Sequence, residues 1–289
     1  MNADLTRYLP GILENSTGKR HRIVSVRPLY GGDINDNFRV DTDGGKTYFI
    51  KINDRERAGM FRLEAMALEE LRHTGSFRIP VVLDAGATDS FSFLLLEYIE
   101  SGRGTARAFA GGLSALHRHS GTAHGWHSDN YIGILPQQNK RTTSWVEFYC
   151  RYRLRVQMEL ARQKGYIPAS LDKKFEKLCG RAGEYLPDVR PSLLHGDLWS
   201  GNFFYDTDGT PVLIDPALYY GHREIDLAMM RLFGGFDADV FRLYHEMFPP
   251  EPGWRERIPL YQLYPLLVHL NLFGTGYYDR VRGIIERYA

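Results

Sequence analysis

The sequence predicts an α+β chain in two lobes: a small antiparallel β-rich lobe over residues 1–100 and a larger, mainly α-helical lobe over residues 101–289. Three observations predict it. The 289 residues are about twice the usual length of one domain. Residues up to about 100 read mostly as short strands bounded by turns. After the turn Ser-Gly-Arg-Gly at 101–104 the spacing shifts to helical.

Taken in order, Ile23–Leu29 (IVSVRPL) alternates as a strand. GGDIND interrupts it, and NFRVDT and KTYFIKIN, joined through DGG, read as a hairpin. A single helix is expected in this part, Ala58–His73, where Phe61, Ala65 and Leu68 repeat at helical spacing. IPVVLDAG and FSFLLLEYIE are two more strands around the polar turn ATDS. Residues 105–119 and 144–164 are the clearest helices beyond the boundary. LLHGDLWSGNFFYDTDGTPVLIDP then inserts two short apolar runs around a loop and a turn, and helical patterns return from residue 224. There is no internal repeat and no low-complexity segment.

Composition bounds the function. At 43% hydrophobic and 25% charged residues, a chain of this size buries a sufficient core without disulfide or metal staples. The 36 basic and 35 acidic residues leave a formal charge of +1, which argues against a polybasic nucleic-acid or membrane-surface binder. Cys150 and Cys179 are too few for a disulfide framework and lack metal-site spacing. The N-terminal MNADLTRYLPGILEN has no basic start followed by an apolar run, and no stretch approaches about eighteen uncharged apolar residues. A cytoplasmic protein is expected, with no nucleic-acid or membrane partner and as a monomer.

The densest chemistry is His195-Gly-Asp197-Leu-Trp-Ser-Gly-Asn202, followed by Val-Leu-Ile-Asp215. An acid, an amide five residues later and a second acid ending an apolar strand match what phosphoryl transfer needs. That reaction requires a carboxylate to accept the proton of the attacking hydroxyl and hard oxygen donors to hold Mg²⁺ on nucleotide phosphates. Each Asp or Asn alone reads equally well as a turn residue; the set, with its spacing, does not.

On these residues the sequence resembles the protein-kinase-like superfamily, and within it the aminoglycoside phosphotransferase-like group that carries HGD in place of HRD. More narrowly, HGDLWSGN with HSDNYIG (127–133), LPQQN (135–139) and SWVEFY (144–149) resembles the fructosamine kinase (ketosamine-3-kinase) family over nearly the whole chain. The resemblance implies a bilobal protein-kinase-like fold, with Asp197 as catalytic base and Asn202 and Asp215 as magnesium ligands. It also implies ATP-dependent phosphorylation of the 3-hydroxyl of ketosamines, the adducts of sugars with amines or protein lysines, in deglycation repair.

The first lobe offers an independent check. In YFIKIN the two-residue period puts Tyr48, Ile50 and Ile52 on one face and Lys51 on the other. Lys51 sits mid-strand, where an unpaired ammonium is costly to bury. Glu64 shares a helix stripe with Phe61, Leu68 and Leu71 and should face inward. Such a pair orients a kinase lysine towards the α- and β-phosphates. In isolation a snorkelling lysine and a helix-face glutamate would look the same.

Gly31, Gly32 and Asp33 lie where a kinase places its phosphate-covering loop; GxGxxG is absent, and a plain hairpin turn fits equally. The cysteine that some relatives use there for redox-linked dimerisation is also absent. By resemblance, the backbone of Glu97, Tyr98 and Ile99 is the hinge that binds adenine; an edge strand with a charged tail is the alternative. Asp226 fits two roles that can coexist: capping the helix it opens and, as the resemblance implies, holding the catalytic loop backbone. Trp199, Asp129, Asn130 and Tyr131 are weaker candidates for shaping a sugar pocket, and Trp199 fits a core equally well. His117, His119, His124 and His127 lack the HExxH spacing and are expected to be solvated rather than to bind zinc.

DPA at 215–217 replaces DFG and no APE-type segment follows, so activation-loop switching is not expected. The alternatives are a kinase of another small hydroxyl compound, such as choline or an aminoglycoside, a non-catalytic nucleotide-binding regulator, and a metal hydrolase built on the His/Asp cluster.

Overall fold

The computed structural model describes residues 2–29 and 34–289. The chain falls into two compact units, Met1–Thr105 with Gly201–Pro216, and Ala106–Ser200 with Ala217–Ala289.

In the first unit, α1 (Asn2–Thr17) leads into β1 (Ile23–Leu29), β2 (Asp36–Thr42) and β3 (Thr47–Asn53); α2 (Ala58–His73), β4 (Val82–Ala87) and β5 (Ser92–Glu97) follow. The strands form one antiparallel sheet in the order β1-β2-β3-β5-β4. Strand pleating puts Phe38, Val40, Tyr48, Ile50, Ile52, Phe93 and Leu95 on one face, where they pack with Leu5, Leu9, Ile12 and Leu13 of α1. Lys51 pairs in register with Leu94 and points to the opposite face, which α2 covers with Phe61, Leu68 and Leu71.

The helix α1 corrects the expectation of a single helix before residue 100. Leu5, Leu9, Ile12 and Leu13 carry the helical period, but Pro10 lies inside the element and disguises it. Leu5, Leu9 and Leu13 are fully buried, and at about 2 kcal/mol each they outweigh the cost of about 3 kcal/mol for an interior proline.

Residues 201–216 follow helical sequence yet belong with the first unit. Strands Phe203–Asp206 and Pro211–Leu213 form a hairpin, and the short strand Ser101–Gly102 adds to its edge. Asp206 Oδ1 accepts the N–H groups of Asp208 and Thr210, each at 2.9 Å, which closes the turn. Its Oδ2 accepts from Arg78 at 2.6 Å. A Cβ on Gly102 would lie 2.3 Å from the Asp206 carbonyl oxygen, so only glycine allows this approach.

In the second unit, α3 (Ala106–Arg118) precedes two short strands, Asn130–Ile132 and Leu135–Gln137, which pair antiparallel. The expected helix at 144–164 is a continuous helical path with a π-helical turn, Tyr149–Leu154, between α-helical Trp145–Phe148 and Arg155–Gln163. Ser144 caps it by accepting the Glu147 N–H at 3.3 Å. Trp254–Phe273 is buried on almost every side, with Leu260, Tyr261, Leu263, Leu267 and Leu270 fully enclosed, as befits a helix apolar all round. Strand Ser192–Leu194 pairs with Tyr219–Gly221 and sets up the loop after residue 194. The chain is therefore α+β, an antiparallel sheet in one unit and mainly helices in the other.

Candidate active site

The first unit brings Lys51, Glu64 and Asp215 together. Lys51 is 2% exposed, and its Nζ donates to Glu64 Oε1 at 2.6 Å and to Asp215 Oδ1. Burial alone would lower the ammonium's pKa; the charges of Asp215 and Glu64 outweigh it and raise the pKa above the ordinary lysine value. Glu64 is pushed up by burial, with Asp215 adding to the effect and Lys51 opposing it.

Asp215 lies two residues after the hairpin's second strand and, among the described residues, is the one non-glycine with positive φ, 57°. That left-handed backbone is a modest strain that asparagine and aspartate tolerate best. Its side chain remains 37% exposed. The carbonyl of Asn202 accepts the Ile214 N–H at 3.1 Å, so Asn202, just before the hairpin's first strand, and Asp215, just after its second, flank the hairpin's open end. An amide and a carboxylate so placed are hard oxygen donors suited to Mg²⁺, which takes few protein ligands and leaves other positions to phosphate and water.

In the second unit Asp197 is half-exposed at the tip of the loop after strand Ser192–Leu194. The loop is held from two sides. Asp226 is fully buried, and its Oδ2 and Oδ1 accept the N–H groups of His195 and Gly196, each at 2.9 Å. On the other side the Ala217 N–H donates to the His195 carbonyl at 2.9 Å. Gly196 has φ +83°, and a Cβ there would lie 2.1 Å from the Ala217 carbonyl oxygen, so this close approach requires glycine. Asp197 N–H donates to His195 Nδ1 at 3.3 Å.

Asp226 also meets His117, whose Nε2 lies 3.1 Å from Oδ2, while Nδ1 lies 2.7 Å from the Tyr244 hydroxyl. Burial lowers the His117 pKa, with Asp226 opposing. The neutral ring therefore carries its proton on Nε2, facing the carboxylate, and accepts from Tyr244 at Nδ1. Arg223 in turn donates to Tyr244 at 3.1 Å. His117 and His124 are buried, contrary to the expectation of solvated histidines, whereas His119 and His127 are exposed. No cluster of three or more His, Cys, Asp or Glu with metal-site geometry exists among the described residues.

The remaining candidates are dispersed. Gly31, Gly32 and Asp33 lie outside the described residues. The Glu97 carboxylate accepts from Arg78 at 2.8 Å and from the Val81 N–H at 3.2 Å; Tyr98 lies under the Arg39 guanidinium; Ile99 is buried. Trp199 and Tyr131 are half-exposed and Asp129 exposed. Asn130 is buried and spends its amide inside the protein: Nδ2 donates to the Leu218 carbonyl at 2.9 Å, and Oδ1 accepts from Gln137 and Asn139, both at 2.8 Å. Sequence reasoning did not single out Arg153, Gln137, Asn139 or Arg78. LPQQN contained two of them without indicating that they point inward.

Comparison with known proteins decides the family. The sequence profile of the fructosamine kinase family matches residues 8–289. The chain belongs to the fructosamine kinase family. A Synechocystis protein named "probable ketoamine kinase" is 40% identical over 282 residues, covering 95% of this chain and 94% of that one. The chloroplastic protein-ribulosamine 3-kinase of rice (subspecies indica) is 39% identical over 94% of this chain and 80% of its own. A crystal structure from Haemophilus somnus 129PT, named "putative fructosamine-3-kinase", superposes with a TM-score of 0.87 at 30% identity, covering 97% and 96% of the two chains. Outside the family, an ADP-bound aminoglycoside phosphotransferase shares the fold, with a TM-score of 0.64 at 16% identity over 99% and 97%.

Proposed function

We propose that this member of the fructosamine kinase family is an ATP-dependent ketosamine kinase that phosphorylates the sugar 3-hydroxyl. The observation that carries this is the buried Lys51, paired with both Glu64 and Asp215, in a chain 40% identical to a protein named "probable ketoamine kinase". Lys51 would hold nucleotide phosphate oxygens, with Glu64 fixing its direction. Asn202 and Asp215 would hold Mg²⁺, which supplies neutralisation of phosphate charge when bound. Asp197 would accept the proton of the 3-hydroxyl as that oxygen attacks the γ-phosphorus and ADP leaves. Asp226 supports this role by fixing the His195 and Gly196 amides just before Asp197. The backbone of 97–99 would take adenine, Gly31, Gly32 and Asp33 would cover the phosphates, and Trp199, Asp129 and Tyr131 would border the sugar.

The free thiols Cys150 and Cys179 fit action in the reducing cytoplasm. Among the described residues no helix is long and apolar enough to cross a membrane. The test is ATP consumption with fructosamine, ribulosamine and erythrulosamine adducts, with choline and aminoglycosides as controls. Turnover confined to the ketosamines supports the reading; turnover only with choline or an aminoglycoside overturns it.

A further inference from the structure

Arg153 is an anomaly in the second unit. It lies in the π-helical turn Tyr149–Leu154 and is fully buried, yet among the described residues no carboxylate is a hydrogen-bond partner. Its Nη1 donates to the Gln138 and Tyr152 carbonyls at 2.6 and 3.1 Å, and its Nη2 to Asn139 Oδ1 at 2.6 Å. Among the described residues its Nε has no hydrogen-bond partner. The guanidinium lies over the rings of Tyr219 at 4.0 Å and Phe148 at 4.5 Å. Burying a charge on neutral groups alone is costly, and apolar residues of similar volume commonly serve folding as well or better.

What the guanidinium organises is a chain of buried amides. Asn139 Nδ2 donates to Asn130 Oδ1. Gln137 Nε2 donates to the same oxygen and, at 3.1 Å, to the Ala217 carbonyl. Asn130 Nδ2 donates to the Leu218 carbonyl, and the Tyr264 hydroxyl fixes the far side of Gln137 by donating to Oε1 at 2.7 Å. Ala217 is the residue whose N–H holds the His195 carbonyl, two positions before Asp197. The same carbonyl of Ala217 packs against Gly196. Asn130, Gln137 and Asn139 are 4%, 1% and 1% exposed, so none is free to meet substrate; they act through the backbone they hold.

Resting on the kinase reading above, we infer that Arg153 is a positioning residue for phosphoryl transfer: through Asn139, Asn130 and Gln137 it fixes the Ala217–Leu218 backbone and thereby the loop carrying Asp197. The loop is clamped by Asp226 on its N–H groups and by this amide relay on the carbonyl side. Its planar fork serves the Gln138 carbonyl and Asn139 together while stacking on Tyr219, which a lysine ammonium cannot reproduce.

The test compares wild type, R153K, Q137M and the double variant, each confirmed folded by its melting curve. R153K retains the charge and Q137M removes the relay's last link without touching it. Two readouts are taken: hydrogen exchange of the peptide spanning 195–219, which needs no catalysis, and steady-state kinetics with ATP and a fructosamine. Exchange should quicken in both single variants. Each should lose about 10- to 100-fold in kcat with KM for ATP within about twofold of wild type, and the double variant should be no worse than the worse single. Unchanged exchange overturns the inference whatever the kinetics. So does faster exchange with wild-type kcat, or losses that multiply in the double variant. Faster exchange in the variants of a wild type that phosphorylates no ketosamine leaves the relay standing and removes the kinase reading instead.

Discussion

Asp226 accepts the backbone N–H of Gly196 at 2.9 Å and, through its other oxygen, that of His195. It sits in the first turn of helix Glu224–Phe233, whose N-terminus has no side-chain cap; of the two roles the sequence left open, the carboxylate performs the loop-holding one. Asp226→Asn turns one acceptor into a donor facing a backbone N–H, that of Gly196 at Oδ1 or, together with His117 Nε2, that of His195 at Oδ2. Leaving such a buried donor unpaired costs about 1–3 kcal/mol. We expect a lower melting temperature and a kcat reduced by about 10- to 100-fold, with ATP affinity retained. Wild-type kcat in this variant would show that the loop does not depend on Asp226.

Lys51→Met leaves Glu64 buried beside Asp215 without its counter-ion. Breaking a buried pair from one side costs about 3–5 kcal/mol, and the lost phosphate contact should nearly abolish turnover. Adding Glu64→Gln removes the stranded charge, so the double variant should regain stability without regaining activity. Thermal melts and ATP-consumption assays on both variants separate the two effects. A double variant as unstable as Lys51→Met would mean that Glu64 is not the stranded charge.

Asp197→Asn preserves shape and removes the proton acceptor. ATP binding, followed by calorimetry, should stay near wild type while ketosamine phosphorylation falls by about 10²-fold or more. Near-normal turnover would remove Asp197 from the role of base.

Much of this was legible because short-range periods settle side-chain direction. A two-residue period in β3 and a helical stripe in α2 placed Lys51 and Glu64 on facing surfaces, and only together with the Asp197, Asn202 and Asp215 set did they read as the pair that forms at 2.6 Å. The parts left unread depend on tertiary packing. Pro10 obscured α1, whose apolar stripe matters only once the sheet face it covers exists. Nothing in local pattern says that 201–216 groups with the first unit, since that follows from the pairing of Tyr205 with Gly102. Asn130 was a pocket candidate because it lies in the family-specific segment HSDNYIG, which says nothing of side-chain direction; here its amide is hydrogen-bonded to Gln137, Asn139 and the Leu218 carbonyl. Arg153 carried no signal, because an arginine on a helical stretch ordinarily faces water, and only the surrounding aromatic rings and carbonyls explain its burial.

The buried histidines give a pH signature. His124 is fully enclosed between the Trp145 and Phe148 rings, and burial holds its pKa down at about 4 against an ordinary 6.5, with Asp188 weakly opposing. The unfolded chain therefore binds a proton at this position below pH 6.5 that the folded chain refuses until about pH 4. The stabilising contribution of the neutral ring is fully present above 6.5 and is lost as the pH falls across this interval, by about 3 kcal/mol from His124 alone. His117 and His222 are lowered in the same direction by burial and steepen the loss. Urea-unfolding midpoints measured between pH 7 and 4 should fall steadily for wild type. In His124→Leu, which keeps an apolar side chain against Trp145 and Phe148, the fall should be shallower; an identical slope would show that His124 titrates as it does in the unfolded chain.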